Sequence, residues 1–104
     1  VDTKQGVGIG RRPIRSQDAE TIAAGFAALA DPIRLRLFDL IRRTGLRGMC
    51  SCDMLEPIGR SQPTVSHHLK VLREAGLVES RREGTWQWYT ATADSTDKLV
   101  QFLS

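Results

Sequence analysis

Cysteine is almost missing from this 104-residue chain, and aromatic residues are few: two cysteines, three phenylalanines, two tryptophans and one tyrosine. Two cysteines exclude the disulfide framework that staples many small secreted domains. No apolar run approaches the roughly 20 residues that span a bilayer, so no membrane helix is expected. The N-terminus lacks a basic segment followed by an apolar one, so no signal peptide is expected and the expected location is cytoplasmic. Also lacking are a glycine-rich phosphate loop, paired catalytic carboxylates and a nucleophile with a base beside it. The chain does not read as an enzyme, and no cofactor is required. It opens at Val1 without a methionine, and whether residues precede it is left open.

Apolar content is 40% and charged content 26%, ordinary values for a single globular domain. The formal charge is +3. Lys4, Arg11, Arg12 and Arg15 against Asp2 account for all of it, so residues 18–104 are neutral overall. A case for an acidic partner must therefore rest on where the charges sit. Gly6, Gly8, Gly10 and Pro13 break any periodicity in residues 1–17, which read as a flexible basic arm.

A helical period begins at Asp18, with Ile22, Phe26 and Leu29 on one face beside Ala23, Ala27 and Ala30. Asp31-Pro32 ends that helix and starts the next: aspartate is a good N-cap and proline suits the first helical position. Ile33, Leu37, Leu40 and Ile41 form the second stripe, and Gly45 and Gly48 mark the exit loop. A short third helix is expected over about Ser51–Pro57, with a turn at Gly59. Ser61 is expected to cap a fourth helix buried along Val65, Leu69 and Leu72 and stopped by Gly76. Two strands follow, Leu77–Arg82 and Thr85–Thr90, joined by Glu83-Gly84. A last helix from about Ser95 carries Leu99, Val100 and Leu103.

The expected architecture is mainly α with a β-hairpin wing, in the order α-α-α-α-β-β-α. A short helix, a tight turn and a capped polar-faced helix make a helix-turn-helix, and a basic hairpin after it makes a winged helix-turn-helix. On the fourth helix, Gln62, Ser66 and Lys70 lie along one exposed side with Thr64 and His67 next to them. These groups are suited to reading base edges from a helix in a major groove. His68 falls nearer the apolar side and reads as a partly buried structural histidine. Successive helical side chains diverge, so His67 and His68 are poorly placed to share an ion. Alternation sets Trp86 and Trp88 on one wing face and Gln87 and Tyr89 on the other, one of which packs on the helices. Arg81, Arg82 and Thr85 near the tip can reach phosphates or the minor groove.

Cys50 and Cys52, one residue apart, read as free thiols or ligands: a bridge over so short a span is strained unless the backbone bends to suit it. Thiolates select soft ions, and a helix N-terminus lowers a thiol pKa. In a regular helix these side chains point away from each other, whereas in an extended backbone they point the same way. Tetrahedral zinc is poorly supported, with no further cysteine and no suitable histidine pair. Oxidation of the pair is an alternative.

Three runs carry a family resemblance over about residues 18–92: Ala28 to Leu37, Cys50-Ser51-Cys52-Asp53-Met54-Leu55, and Ser61 to Val78. They resemble the ArsR/SmtB (arsenic-repressor) family of winged helix-turn-helix metalloregulators. The resemblance implies a homodimer joined through the first and last helices, so that 18–104 forms one DNA-binding and dimerisation domain. It implies a transcriptional repressor on operator DNA, released when As(III) or Sb(III) binds Cys50 and Cys52. It assigns base reading to Gln62, Thr64, Ser66 and His67, with Lys70 close by. A third cysteine found in many arsenic sensors is replaced by Leu55. The third ligand is then water, a small thiol, a partner-chain residue or one upstream of Val1, or else the ion is one content with two thiolates, such as Hg(II).

Overall fold

The structure is a computed structural model and describes residues 12–104. The N-terminal arm expected over residues 1–17 lies mostly outside the described residues. Helix α1 runs Ser16–Leu29, α2 Pro32–Arg42, α3 Leu55–Ile58, α4 Gln62–Glu74 and α5 Ala93–Leu103. Strands β1 (Met49–Cys50), β2 (Val78–Glu83) and β3 (Trp86–Ala91) form one antiparallel sheet in the order β1-β3-β2. None of the described helices is long and apolar enough to cross a membrane.

The α1–α2 corner follows the sequence closely. Asp31 Oδ2 accepts from the backbone N–H of Ile33 at 2.9 Å and of Arg34 at 3.0 Å, with Pro32 at the first helical position. Those contacts satisfy donors that the first turn leaves without helical partners. The core gathers Leu37, Phe38 and Ile41 of α2, Met54, Ile58 of α3, and Val65, Leu69 and Leu72 of α4. Leu77, Val78, Tyr89 and Leu99 complete it with Ala28. Phe38, outside the expected stripe, is buried, while Ile33 and Leu40 of that stripe are half-buried and pack against the core.

Four local expectations are corrected. The single helix over Ser51–Pro57 is instead a 3-10 turn, Ser51–Asp53, followed by α3. Pro57 is the cause: in a helix begun at Ser51 its ring would meet the carbonyl of Asp53, but a helix restarted at Leu55 leaves it in the first turn, where no N–H is needed. Secondly, the sheet has a third strand: Met49 pairs with Tyr89 and Cys50 with Trp88. Thirdly, the hairpin loop is Gly84-Thr85, since Glu83 pairs with Trp86. Gly84, at φ +63°, supplies the left-handed residue that so short a loop requires. Lastly, α1 and α5 each begin two residues before the expected start.

Candidate nucleic-acid interface and thiol pair

Helix α4 is held by an apolar stripe whose members, Val65, Leu69 and Leu72, are at most 1% exposed. Its opposite side leaves Gln62, Ser66, His67 and Lys70 exposed and Thr64 half-buried. The face expected to meet DNA is therefore free. Ser61 takes the N-cap position with an extended backbone, but its hydroxyl donates to Thr64 Oγ1 at 3.1 Å instead of accepting from a backbone N–H. That contact corrects the expected cap and couples Thr64 to the turn. Arg60, exposed just before α4, was not singled out from the sequence. Its only signal there is a basic residue ahead of a helix N-terminus, the end that favours anions.

His68 is 13% exposed at the side chain. Its Nδ1 lies 3.2 Å from Arg34 Nη1. A guanidinium can only donate, so Nδ1 accepts and the ring proton sits on Nε2. Burial pushes the His68 pKa below the usual histidine value, against the opposing pull of Asp31, whose Oδ2 is 4.0 Å away. The backbone N–H of Arg34, aided by the Arg34 charge, holds the Asp31 carboxyl below its ordinary range. Arg34 Nε also donates to the Ala28 carbonyl at 2.7 Å. One guanidinium thus ties the end of α1 and the start of α2 to α4, which helps set the angle at which α4 is presented. His68 is the partly buried structural residue expected; His67 stays exposed, its ring 5.4 Å from that of His68.

On the wing, the face bearing Tyr89 packs on the helices, while Trp86 on the other face is 56% exposed. Arg81 and Arg82 are both exposed. They are neighbours on one strand and so project from opposite faces. Arg81 is engaged: Nε donates to Glu83 Oε2 at 2.8 Å and Nη2 to the Arg47 carbonyl at 2.9 Å.

Cys50 ends β1 and Cys52 lies in the 3-10 turn that follows. The expectation of two unbridged thiols is corrected. The change from extended strand to 3-10 turn turns both side chains inward on each other, the Cα atoms stand 5.3 Å apart, and the sulfurs are joined as a disulfide. That spacing lies in the ordinary range for bridged cysteines. Cys50 is buried, Cys52 is exposed, and the Cys50 sulfur accepts from the Cys52 backbone N–H at 3.3 Å. Among the described residues no group of three or more His, Cys, Asp and Glu side chains is placed to hold a metal ion.

The family described as "Bacterial regulatory protein, arsR family" matches residues 31–80. The chain is 37% identical over 84 residues to an uncharacterized HTH-type transcriptional regulator of Methanocaldococcus jannaschii, covering 81% of this chain and 92% of that protein. It is 38% identical over 76 residues to an arsenical resistance operon repressor of Staphylococcus aureus, covering 73% of this chain and 70% of that one. The crystal structure of NolR from Sinorhizobium fredii superposes with a TM-score of 0.68 at 30% identity, covering 89% of this chain and 93% of that one. With its helix-turn-helix, wing and free α4 face, the chain belongs to the arsR family of bacterial regulatory proteins, winged-helix DNA-binding transcription regulators and not enzymes.

Proposed function

We propose that the chain acts as a homodimeric repressor that leaves its operator when a thiophilic metalloid, As(III) or Sb(III), binds Cys50 and Cys52. The observation that carries the reading is the convergence of both sulfurs on the 3-10 turn at the start of the helix-turn-helix. A ligand on the Cys50 sulfur competes with the Cys52 N–H that this sulfur accepts, and so acts on the backbone leading into α3 and α4. With the bridge reduced, the donor set fits a soft ion held by two thiolates, or by two with a third donor from a small thiol or water. Relatives named arsenical resistance operon repressors support the choice of inducer.

In this reading Gln62, Thr64, Ser66 and His67 face base edges, Lys70 and Arg82 face phosphates, and Arg81 lies on the other face of the wing strand. Dimerisation through α1 and α5 is supported by apolar side chains exposed on α5, Val100 (57%), Phe102 (49%) and Leu103 (72%), and by Ile14 (47%) just ahead of α1. Apolar exposure of that extent on adjoining elements marks a surface that another chain covers.

Thiol oxidation is the second reading, favoured by the sulfurs being joined. A hydroperoxide takes the two electrons: the Cys52 thiolate attacks its outer oxygen, releasing alcohol or water. The Cys50 thiol then displaces water from the sulfenic acid and closes the S–S bond. The deciding experiment is operator release from the reduced, dithiol protein, titrated with arsenite, antimonite, Hg(II), Cd(II), zinc and a hydroperoxide side by side. The double variant Cys50→Ser/Cys52→Ser should keep operator binding and lose release. Release by arsenite that persists in this variant removes the thiols from sensing.

A further inference from the structure

Arg81 is placed oddly for a DNA contact. Besides its bonds to Glu83 and to the Arg47 carbonyl, its guanidinium carbon lies 5.5 Å from the centroid of the Trp88 ring. Arg81 is in register with Trp88 across β2 and β3, and Trp88 is in register with Cys50 across β3 and β1. Directly opposed residues of antiparallel strands project from the same face. Cys50, Trp88 and Arg81 therefore form one row across all three strands. The row closes on itself, because the Arg47 carbonyl gripped by Arg81 belongs to the loop that leads into β1 and Cys50.

We propose that Arg81 is a positioning residue that couples the state of the Cys50–Cys52 pair to the wing through Trp88. Its biological use rests on the thiol pair being the sensor, whereas the coupling is a property of the sheet alone. A change at the Cys50 sulfur, whether ligation or opening of the bridge, acts first on its facing neighbour, the Trp88 indole. The indole is the surface over which the Arg81 guanidinium is held. Displacing it loosens the grip on the Arg47 carbonyl and frees the strand that carries Arg82. The wing thereby responds to the thiols by a path separate from α3 and α4. This path also separates two adjacent arginines: Arg82 meets the phosphate, and Arg81 sets where Arg82 stands.

The test uses the full chain labelled with ¹⁵N, and follows the Arg81 Nε–H and Trp88 indole N–H signals by NMR. Spectra are taken with the bridge closed, after reduction with dithiothreitol, and after one equivalent of arsenite on the reduced form. Both signals should move by several linewidths between closed and reduced forms. In Trp88→Leu the Cys52 amide should still move while the Arg81 Nε–H no longer follows. Trp88→Phe, which keeps an aromatic face, should restore the response. An Arg81 signal that is the same in both thiol states, or that follows them undiminished in Trp88→Leu, overturns the proposal. Operator titrations supply the second arm. In Arg81→Gln the factor by which arsenite weakens binding, on the order of 5–150 for an allosteric couple, should fall to the part carried through α3 and α4, with the salt slope unchanged. A slope reduced by about one unit would make Arg81 a phosphate contact and overturn the proposal. Absence of any arsenite effect on wild-type binding sinks the inducer reading, while the spectra still decide whether the row couples.

Discussion

Replacing Gly48 by alanine should destabilise the protein more than replacing any exposed loop glycine, and it should do so where the chain enters β1 beside β3. Gly48 is buried at φ +81°, and an added Cβ would stand 2.7 Å from the Tyr89 carbonyl oxygen and 2.7 Å from Thr90 Cγ2. Placing a side-chain-bearing residue in the left-handed region costs about 1–2 kcal/mol. The carbonyl belongs to the backbone of β3, so relief requires moving β1 away from β3, and overpacking of this kind adds about 1–3 kcal/mol. The combined loss is about 2–5 kcal/mol. For a domain of this size each kcal/mol lowers Tm by about 4–8 °C. Gly45→Ala is the matched control: Gly45 has φ +60° but nothing within 4 Å of its added Cβ, so only the backbone strain remains. Thermal unfolding by circular dichroism is compared at one protein concentration, since an associating protein has a concentration-dependent Tm. Gly48→Ala should melt well below Gly45→Ala. Equal losses in the two variants would refute the claim that close approach of β1 to β3 governs this position.

Gln62→Ala and Ser66→Ala should each weaken operator binding by about 1–3 kcal/mol while hardly changing the affinity for random DNA; equal losses on both would remove these side chains from base reading. Arg82→Gln should lower affinity evenly across sequences and flatten the salt dependence by about one unit of slope, and an unchanged slope in gel-shift titrations would take the wing away from the phosphates. His68 is held neutral by burial and by the Arg34 N–H it accepts, so its folded pKa lies below the ordinary value of about 6.5. Stability from this group is complete above pH about 6.5 and is lost as pH falls from there towards the lower folded value, because the unfolded chain takes up the proton first. The urea midpoint should therefore drop between pH 7.5 and 5.5, and drop less in His68→Gln; identical pH profiles would refute the assignment.

How much of this was legible in the sequence depends on how local each cause is. The Asp31-Pro32 corner, the apolar stripe of Val65, Leu69 and Leu72, and the outward face of Gln62, Ser66 and Lys70 all follow from capping and periodicity within a few residues. The strand Met49–Cys50 was not legible: two residues carry no alternation, and their partners Tyr89 and Trp88 lie far along the chain. The break in the third helix was legible in principle, since Pro57 forbids an unbroken run from Ser51. The cysteine bridge turned on the same missed strand. A regular helix start would have pointed the two sulfurs apart, whereas strand followed by 3-10 turn points them together.

Arg81 and Arg82 show where sequence reasoning ends for a regulator of this kind. As adjacent basic residues on a wing they carry the same charge and the same expected role. One-residue alternation along a strand sends them to opposite faces, and only the third strand decides what each face holds. On Arg81's face that strand places Cys50 next to Trp88, and the arginine's donors are spent on Glu83 and on the loop that leads to the strand carrying the sulfur. A guanidinium bound there contributes little to phosphate affinity, since its partners must be given up before it can reach DNA. What it gains is dependence on the sulfur's position. The same sheet that makes the wing rigid enough to hold Arg82 thereby makes that rigidity conditional on a pair of thiols.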